Sequence, residues 1–421
     1  MAIDLIDLGT LNQHDGDKWR TGGTKINAMF TELFAFKDAQ QFIFITKEAD
    51  FPTQDDTTIT LLSNKIYIIS SDTTIAKKFT VQDGAVITAF NIFGPTLTYS
   101  GSGVMFTGVD VNFVIRDLTV SCSSAKVFDF TDSVGSVKDF ECVNVRALAC
   151  TSIGSFDDYL VVQFMNSGFI STGSGIDYSG GNYRVVSFND AVFISTSATF
   201  KAIDLGSATI DNFEINNIAV IAPSGAYGIS GLASSGNINS GFVATVFGSS
   251  FSGGMTTPLE NITVNDIRWD FKGNNGVADT ITDALLSFNG NATETVITTQ
   301  NVPVIVNATW TVVICSKFTC TTGGRSTSNS EGDLGGVPIT FAVGLISAGG
   351  GAIDVSVYLA ENGSVITASK TTISISGANQ AFVSIPWQIS TISENDYYEV
   401  WVENNTNTTN IIVESAKLRI R

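Results

Sequence analysis

Three triplets in this 421-residue sequence place an aspartate directly after a large apolar residue: Phe128-Asp129-Phe130, Ile176-Asp177-Tyr178 and Ile203-Asp204-Leu205. In an extended strand neighbouring side chains point to opposite faces, so an inward Phe or Ile turns the aspartate outward. Two such carboxylates on adjacent strands stand roughly 5 Å apart. That spacing suits the acid and nucleophile of retaining glycoside hydrolysis; inverting hydrolysis needs a wider gap. Asp177 and Asp204 form the pair expected on adjacent strands. Asp129 is a third acid nearby, and Tyr178 is a candidate for stacking on a sugar ring. A plainer reading competes: outward aspartates keep a β wall soluble and end strands. It is preferred, because acids are common throughout, with 40 Asp and Glu in all, and Gly154 interrupts the column. Glu141 and Glu214, after Phe140 and Phe213, read in the same plain way.

Other chemistries find little material. The one histidine, His14, stands far from any of these acids, so no Ser/His/Asp or Cys/His arrangement is expected. No metal site and no cofactor are expected. Gly173 to Gly175 and Gly349 to Gly351 lack the lysine and helix of a phosphate cradle and read as loops. Asn291 and Asn307 head glycosylation-type triplets that matter only with a secretory route. Trp269, Trp310, Trp387 and Trp401 could stack on sugars, although a Trp among alternating apolar residues more often belongs to a core or an interface. The five cysteines (Cys122, Cys142, Cys150, Cys315, Cys320) are odd in number and form no CxxC pair, so reduced and mostly buried thiols are expected.

The elements that would position the aspartates announce themselves as a repeat. Phe113, Phe140, Phe164, Phe188, Phe213, Ile238 and Ile262 recur at intervals of 24 to 27 residues. A second column follows five residues later: Leu118, Val145, Phe169, Phe193, Ile218, Val243 and Ile267. A third runs through Met105, Phe128, Ile153, Ile176, Ile203 and Ile229. Such periods signal stacked units, and a unit this short, made of β-rich pieces between Gly and Asn, has no room for a helical hairpin. Along a straight strand, positions i and i+5 face opposite ways, so a bend must separate the first two columns. Asp117, Asn144, Gly168, Asn217 and Asp266 stand at that bend, residue types that tolerate a left-handed backbone. Three short strands per coil describe a right-handed parallel β-helix of about nine rungs, roughly 43 Å long at about 4.8 Å each, whose two ends need caps.

The flanks differ. Ile26, Met29, Phe30 and Leu33 recur at i, i+3, i+4 and i+7, predicting one short amphipathic helix of about three turns that cannot stand alone. Beyond a predicted linker, Lys272 to Gly276, the rhythm becomes period two. Asp354 to Leu359, an Asn362-Gly363 hairpin signal, Ala381 to Ile385, Tyr397 to Val402 and Ile411 to Ile420 predict an antiparallel β-sandwich, with Ala416, Leu418 and Ile420 on one face of the last strand. The expected division is therefore 1–51, a segment with the short helix; 52–272, the β-helix; and 273–421, the sandwich.

Residues Asp15 to Phe34 resemble the N-terminal attachment segment of many bacteriophage tail and fibre proteins, which reads roughly GDxxRxxxxKINxNFxELY. The agreement lies in Gly16, Asp17, Arg20, Lys25, Ile26, Asn27, Phe30, Glu32 and Leu33, while Met29 and Phe34 depart from the usual Asn and Tyr. The stretch from Asp354 through Trp401 to Ile420 is similar to a phage-fibre jelly roll of tumour-necrosis-factor type. The order of anchor, β-helix and jelly roll resembles bacteriophage tail fibres and tailspikes. The resemblance implies a homotrimer held to other tail or capsid proteins by Gly16, Asp17, Trp19, Arg20, Lys25, Ile26, Asn27, Phe30 and Leu33. It implies a virion location after assembly in the bacterial cytoplasm, and a host surface glycan or protein as receptor. The β-helix matches no single enzyme family, so the chain reads as a structural adhesin more than an enzyme. The alternatives left open are a polysaccharide depolymerase, hydrolase or lyase, using the outward acids, and a head or decoration fibre of the capsid.

Composition narrows the partners. With 22 Lys and Arg against 40 Asp and Glu the formal charge is −18, which argues against nucleic acid and anionic membranes. No apolar run approaches the roughly 20 residues needed to span a bilayer, and no secretory leader is expected, since Met1 to Phe34 mixes acids, Gly and Asn. With 29 Phe the chain carries far more core material than a disordered one.

Overall fold

The computed structural model describes residues 42–421 apart from 136, 233–235, 267, 329–333, 377–378 and 394. They form two compact units: one of residues up to 210 with 215–231 and 249–260, the other of 211–214, 232–248 and 261–421.

The first unit is a parallel β-solenoid built from three walls. One wall carries nine strands, from Thr58–Leu61 through Ala125–Thr131, Ser174–Gly180 and Lys201–Asp204 to Leu259–Glu260. A second carries eight short strands, from Thr73–Ile75 to Ser250–Ser252, and a third begins at Phe42–Ile45 and passes through Phe113–Arg116, Asp139–Val143 and Val161–Met165. The pairings within a wall are parallel and follow the repeat, for example Phe140↔Phe113 and Phe164↔Phe188, with a register shift between Phe156 and Asp157 where Ser152–Asp157 meets Ser174–Gly180. The coil is thus closed by hydrogen bonds to the coils on either side.

The expected bend is present. Phe113 and Leu118 are both fully buried, and Asp117 between them takes φ 62°. Asn144 and Asn217 do the same at φ 55° and 54°. Two of the predicted corner residues are corrected: Gly168 opens a strand instead, the left-handed position being Asn166 at φ 46°, and Asp266 has no positive φ. The corner amides also bond from rung to rung. Asn144 Nδ2 donates to Asp117 Oδ1 at 2.7 Å, and Asn166 Nδ2 donates to Asn144 Oδ1 at 2.7 Å. The residue type that tolerates the turn therefore also joins successive turns.

Inside, the Phe columns stack. Phe164 lies 5.6 Å from Phe140 and 5.2 Å from Phe188, the latter pair nearly coplanar in orientation at 3°. The first coil is closed by Phe51, after the turn Glu48–Asp50, whose ring packs on Tyr67 and Phe79 at 5.8 and 5.2 Å. The amphipathic helix expected to help cap this end lies outside the described residues.

The second unit holds the parallel pair Ala244–Phe247 and Trp269–Lys272, and two antiparallel sheets that share one core. One sheet runs Thr311–Ser316, Asp283–Phe288, Ile411–Ile420, Leu334–Ser347, Ala381–Ile392; the other includes Tyr397–Asn404 beside Ile353–Glu361. The alternation of the last strand holds, with Ala416, Leu418 and Ile420 buried while Arg419 reaches Asp283 at 2.6 Å. Asn362 and Gly363 have φ 51° and 75°, as a type I′ turn requires. Lys272 to Gly276 is not a free linker: Gly273 N donates to Asp279 Oδ1 and Asn274 Nδ2 donates to the Val246 carbonyl, each at 2.8 Å. The thiol expectation is also corrected in part. A reversal at Lys317, φ 64°, brings the Cα atoms of Cys315 and Cys320 to 6.1 Å, and the two form a disulfide. Cys122, Cys142 and Cys150 are free and buried as expected. From this same reversal Lys317 Nζ donates to the carbonyls of Asp266 and Trp269, at 2.7 and 2.8 Å.

Because the Phe164 ring is fully buried between two like rings, Phe164→Ala should leave a cavity that the flanking coils cannot close. A loss of about 3–5 kcal/mol is expected, read by denaturant unfolding of the full chain.

Candidate functional site

On the nine-stranded wall the sequence builds one continuous outward column. Asp129 pairs with Ser155, Ser155 with Asp177, Asp177 with Asp204, Asp204 with Ser230, and Ser230 with Glu260. Six consecutive rungs thus present a carboxylate or a hydroxyl on one line. Asp177 and Asp204 stand one rung apart, about 4.8 Å, and Asp129 and Asp177 two rungs apart, about 10 Å. The expected adjacency of Asp177 and Asp204 is therefore in place.

Two lysines that the sequence reading passed over join the column. In Lys126–Asp129 the middle residues Val127 and Phe128 are both buried, and in Lys201–Asp204 so are Ala202 and Ile203. A straight strand cannot bury two neighbours in a row on one face, so each strand kinks and returns Lys and Asp to the outer face together. The shared pattern, Lys followed three residues later by Asp with two apolar residues between, was the available signal.

The lysines hold most of the acids. Lys126 Nζ lies 3.3 Å from Asp129 Oδ1 and 3.0 Å from Ser155 Oγ, while Ser155 donates to Asp129 at 2.5 Å. Lys201 Nζ lies 3.1 Å from Asp204 Oδ2, 2.8 Å from Glu260 Oε2 and 3.1 Å from Ser230 Oγ, and Ser230 donates to Glu260 at 2.6 Å. Hydrogen bonds from Lys201 and Ser230 hold the Glu260 carboxyl below its ordinary range. For Lys201, burial works the other way, but its bonds to Glu260 and Asp204 prevail and raise its pKa.

Asp177 is the exception. It is exposed, and no hydrogen bond to its carboxylate is found among the described residues. Desolvation by the surrounding wall, followed by the charge of Asp204, pushes its pKa up. The column therefore holds one acid that keeps its proton longer than usual beside another that sits on an ammonium, a division of labour compatible with acid and base roles.

Tyr178 requires a correction. The alternation that turns Asp177 out turns Tyr178 in: it is fully buried, 6.1 Å from Phe156 and 5.3 Å from Tyr183, and its hydroxyl finds no hydrogen-bond partner among the described residues. It cannot meet a sugar outside the wall. Trp269 and Trp310 are core residues as well, at 1% and 2% exposure. Trp401 is half-buried and donates from Nε1 to Glu399 at 3.1 Å. Gly16, Asp17, Trp19, Arg20, Lys25, Ile26, Asn27, Phe30, Leu33 and His14 lie outside the described residues. Among the described residues no group of three His, Cys, Asp or Glu could hold a metal ion, and no helix is long and apolar enough to cross a membrane.

No protein-family model and no curated protein matches the chain. Among solved structures, the tailspike protein of Acinetobacter phage vB_ApiP_P1 aligns over 85% of this chain and 81% of its own, at 11% identity and a TM-score of 0.25. The enzymatically active domain of bacteriophage CBA120 tailspike protein 2 aligns over 89% and 79%, at 10% identity and a TM-score of 0.25. Eiger TNF from S. frugiperda aligns over 34% of this chain and 93% of its own, at 12% identity and a TM-score of 0.20. At those values no residue role, substrate or assembly passes from them to this chain. The architecture itself, a parallel β-solenoid and an antiparallel two-sheet domain, is the one a tailspike-type resemblance implies.

The raised pKa of Asp177 has a signed consequence. The folded chain binds this proton more tightly than the unfolded chain, so ionising Asp177 opposes folding. The penalty is absent below the ordinary value of 3.8, where both states are protonated, and grows as pH rises through the raised folded value. Asp177→Asn should therefore raise Tm at about pH 7 and leave it unchanged at about pH 3, as measured by calorimetry. A lower Tm at neutral pH would show that the carboxylate is stabilising and wrongly described.

Proposed function

We propose that the chain is a bacteriophage structural protein, a homotrimeric tail-fibre or tailspike-like adhesin. Its N-terminal segment, through Gly16, Asp17, Trp19, Arg20, Lys25, Ile26, Asn27, Phe30 and Leu33, would attach to a virion protein. The β-solenoid and sandwich would face a glycan or protein of the host surface. The observation that carries this reading is the order of parts: an attachment-type segment, then a β-solenoid, then an antiparallel sandwich in one chain. The acid column supports a structural role for the wall, because Asp129 and Asp204 are each neutralised by a lysine on the same strand. Light scattering of the purified chain should give three times its 44.6 kDa mass, and a monomer would sink the trimeric fibre.

A second reading rests on Asp177, the one acid of the column without a hydrogen bond among the described residues. Beside Asp204, at a spacing suited to retaining hydrolysis, it could serve a depolymerase that cuts a bacterial surface polysaccharide. The structural reading expects no clearing halo when the protein is spotted on host lawns. A halo abolished by Asp177→Asn and by Asp204→Asn would establish the enzyme instead; a halo untouched by both would place any chemistry elsewhere. Immunogold labelling of intact particles separates tail from capsid, and label on the tail is expected.

A further inference from the structure

Just past each strand of the eight-stranded wall, the chain turns a corner and buries one small residue there. In successive coils these residues are Cys122, Cys150, Thr172, Ser195 and Ala222. Cys122 and Cys150 therefore occupy neighbouring coils. Their strands pair Thr119 with Arg146 and Ser121 with Leu148, which sets the two backbones about 4.8 Å apart. Cys122 follows its strand directly, whereas Ala149, at φ 52°, is interposed before Cys150. The corner backbone is fixed beyond that point. Ala125 N donates to the Cys122 carbonyl at 3.1 Å, and Thr151 N donates to the Ala125 carbonyl at 3.0 Å. The thiols are neighbours in turn. A side-chain hydrogen bond joins them, which lowers the pKa of Cys150 and, together with burial, raises that of Cys122. The third free thiol, Cys142, faces Ser167 Oγ instead, at 3.8 Å.

We propose that Cys122 and Cys150 are a reactive thiol pair that closes into a disulfide when the chain meets an oxidising disulfide, stapling two adjacent coils of the solenoid. Spacing agrees, because neighbouring strands at about 4.8 Å fall within the roughly 4.4–6.8 Å between Cα atoms that a disulfide spans. Access agrees too: Ser123, Ser124 and Ala149 are exposed, so both thiols lie one residue beneath the surface of the corner. The oxidant is a small organic disulfide, RSSR. Cys150 loses its proton and attacks one sulfur of RSSR, expelling RS⁻ and leaving a mixed disulfide. Cys122 then gives its proton to RS⁻ and attacks Cys150 Sγ, expelling the second RS⁻, which takes up the proton that Cys150 lost. Two protein thiols are oxidised and RSSR is reduced to two RSH. Such a bond ties together corners that must separate before one coil can peel from the next, and so opposes local opening of the rod. The inference is independent of the virion reading, since it concerns only the solenoid, and it would survive the failure of the halo and light-scattering expectations.

Peptide mapping without reduction tests it. The folded full chain is incubated with hydroxyethyl disulfide, then denatured, alkylated and read by mass spectrometry. A Cys122–Cys150 linked pair should appear, while Cys142 is recovered alkylated. Cys122→Ser should leave Cys150 carrying the reagent as a mixed disulfide, and Cys150→Ser should leave Cys122 a free thiol. The treated wild type should melt about 5 °C above the untreated chain in calorimetry. Inert thiols in a chain whose circular dichroism is unchanged, or a bond from either cysteine to Cys142, would overturn the proposal. A linked pair that leaves Tm unmoved would overturn the staple. The wild-type map decides the bond even where a serine variant fails to fold.

Discussion

A strand in this solenoid has no partner within its own coil, so its backbone N–H and C=O groups are satisfied only if the next coil returns to the same line. That requirement for registered return is what the remaining features serve. An unpaired buried peptide group costs on the order of 1–3 kcal/mol, and a coil that missed its register would leave several. The repeat length near 25 residues, the left-handed corners and the inward Phe columns are three ways of enforcing the return. Corner amides contribute twice, through the backbone conformation they tolerate and through bonds such as Asn144 to Asp117. The ring stack does the same for the interior, since Phe164 packs equally on the coil before it and the coil after it.

Registered return also explains how the outer faces acquire lines of like chemistry. Any residue type that recurs at one position of the repeat becomes a column about 4.8 Å in pitch. Unscreened, a column of acids would repel itself. The kinks at Val127-Phe128 and Ala202-Ile203 answer this by bringing Lys126 and Lys201 onto the same face as the acids they neutralise. Asp177 has no such lysine on its own strand, and desolvation by the wall, followed by the charge of Asp204, raises its pKa.

The same logic applied to the wall beginning at Phe42 yields an apolar column that ends at Val114 and gives way to Glu141. In the second unit, by contrast, order comes from two sheets that bury one shared core, and from a disulfide-closed reversal that places Lys317 over the carbonyls of Asp266 and Trp269.

Much of this was legible in the residues themselves. Period, strand type, the bend between the first two columns and the faces of Ile411 to Ile420 follow from side-chain alternation and from which residues accept a left-handed backbone, both of which are local properties. The adjacency of Asp177 and Asp204 followed from the repeat alone. Other features needed the folded chain. Tyr178 was misplaced because its facing depends on counting outward from Ile176 within a strand that stays straight, whereas Lys126 and Lys201 were overlooked because their strands do not. The Cys315 and Cys320 bond depended on a reversal at Lys317, a residue type that does not advertise a left-handed turn. Local preference determined which pieces are strands and where they turn. Only the tertiary structure decided which side chains meet across coils, because a rung-to-rung contact joins residues some 25 positions apart, and a single kink redirects every side chain beyond it.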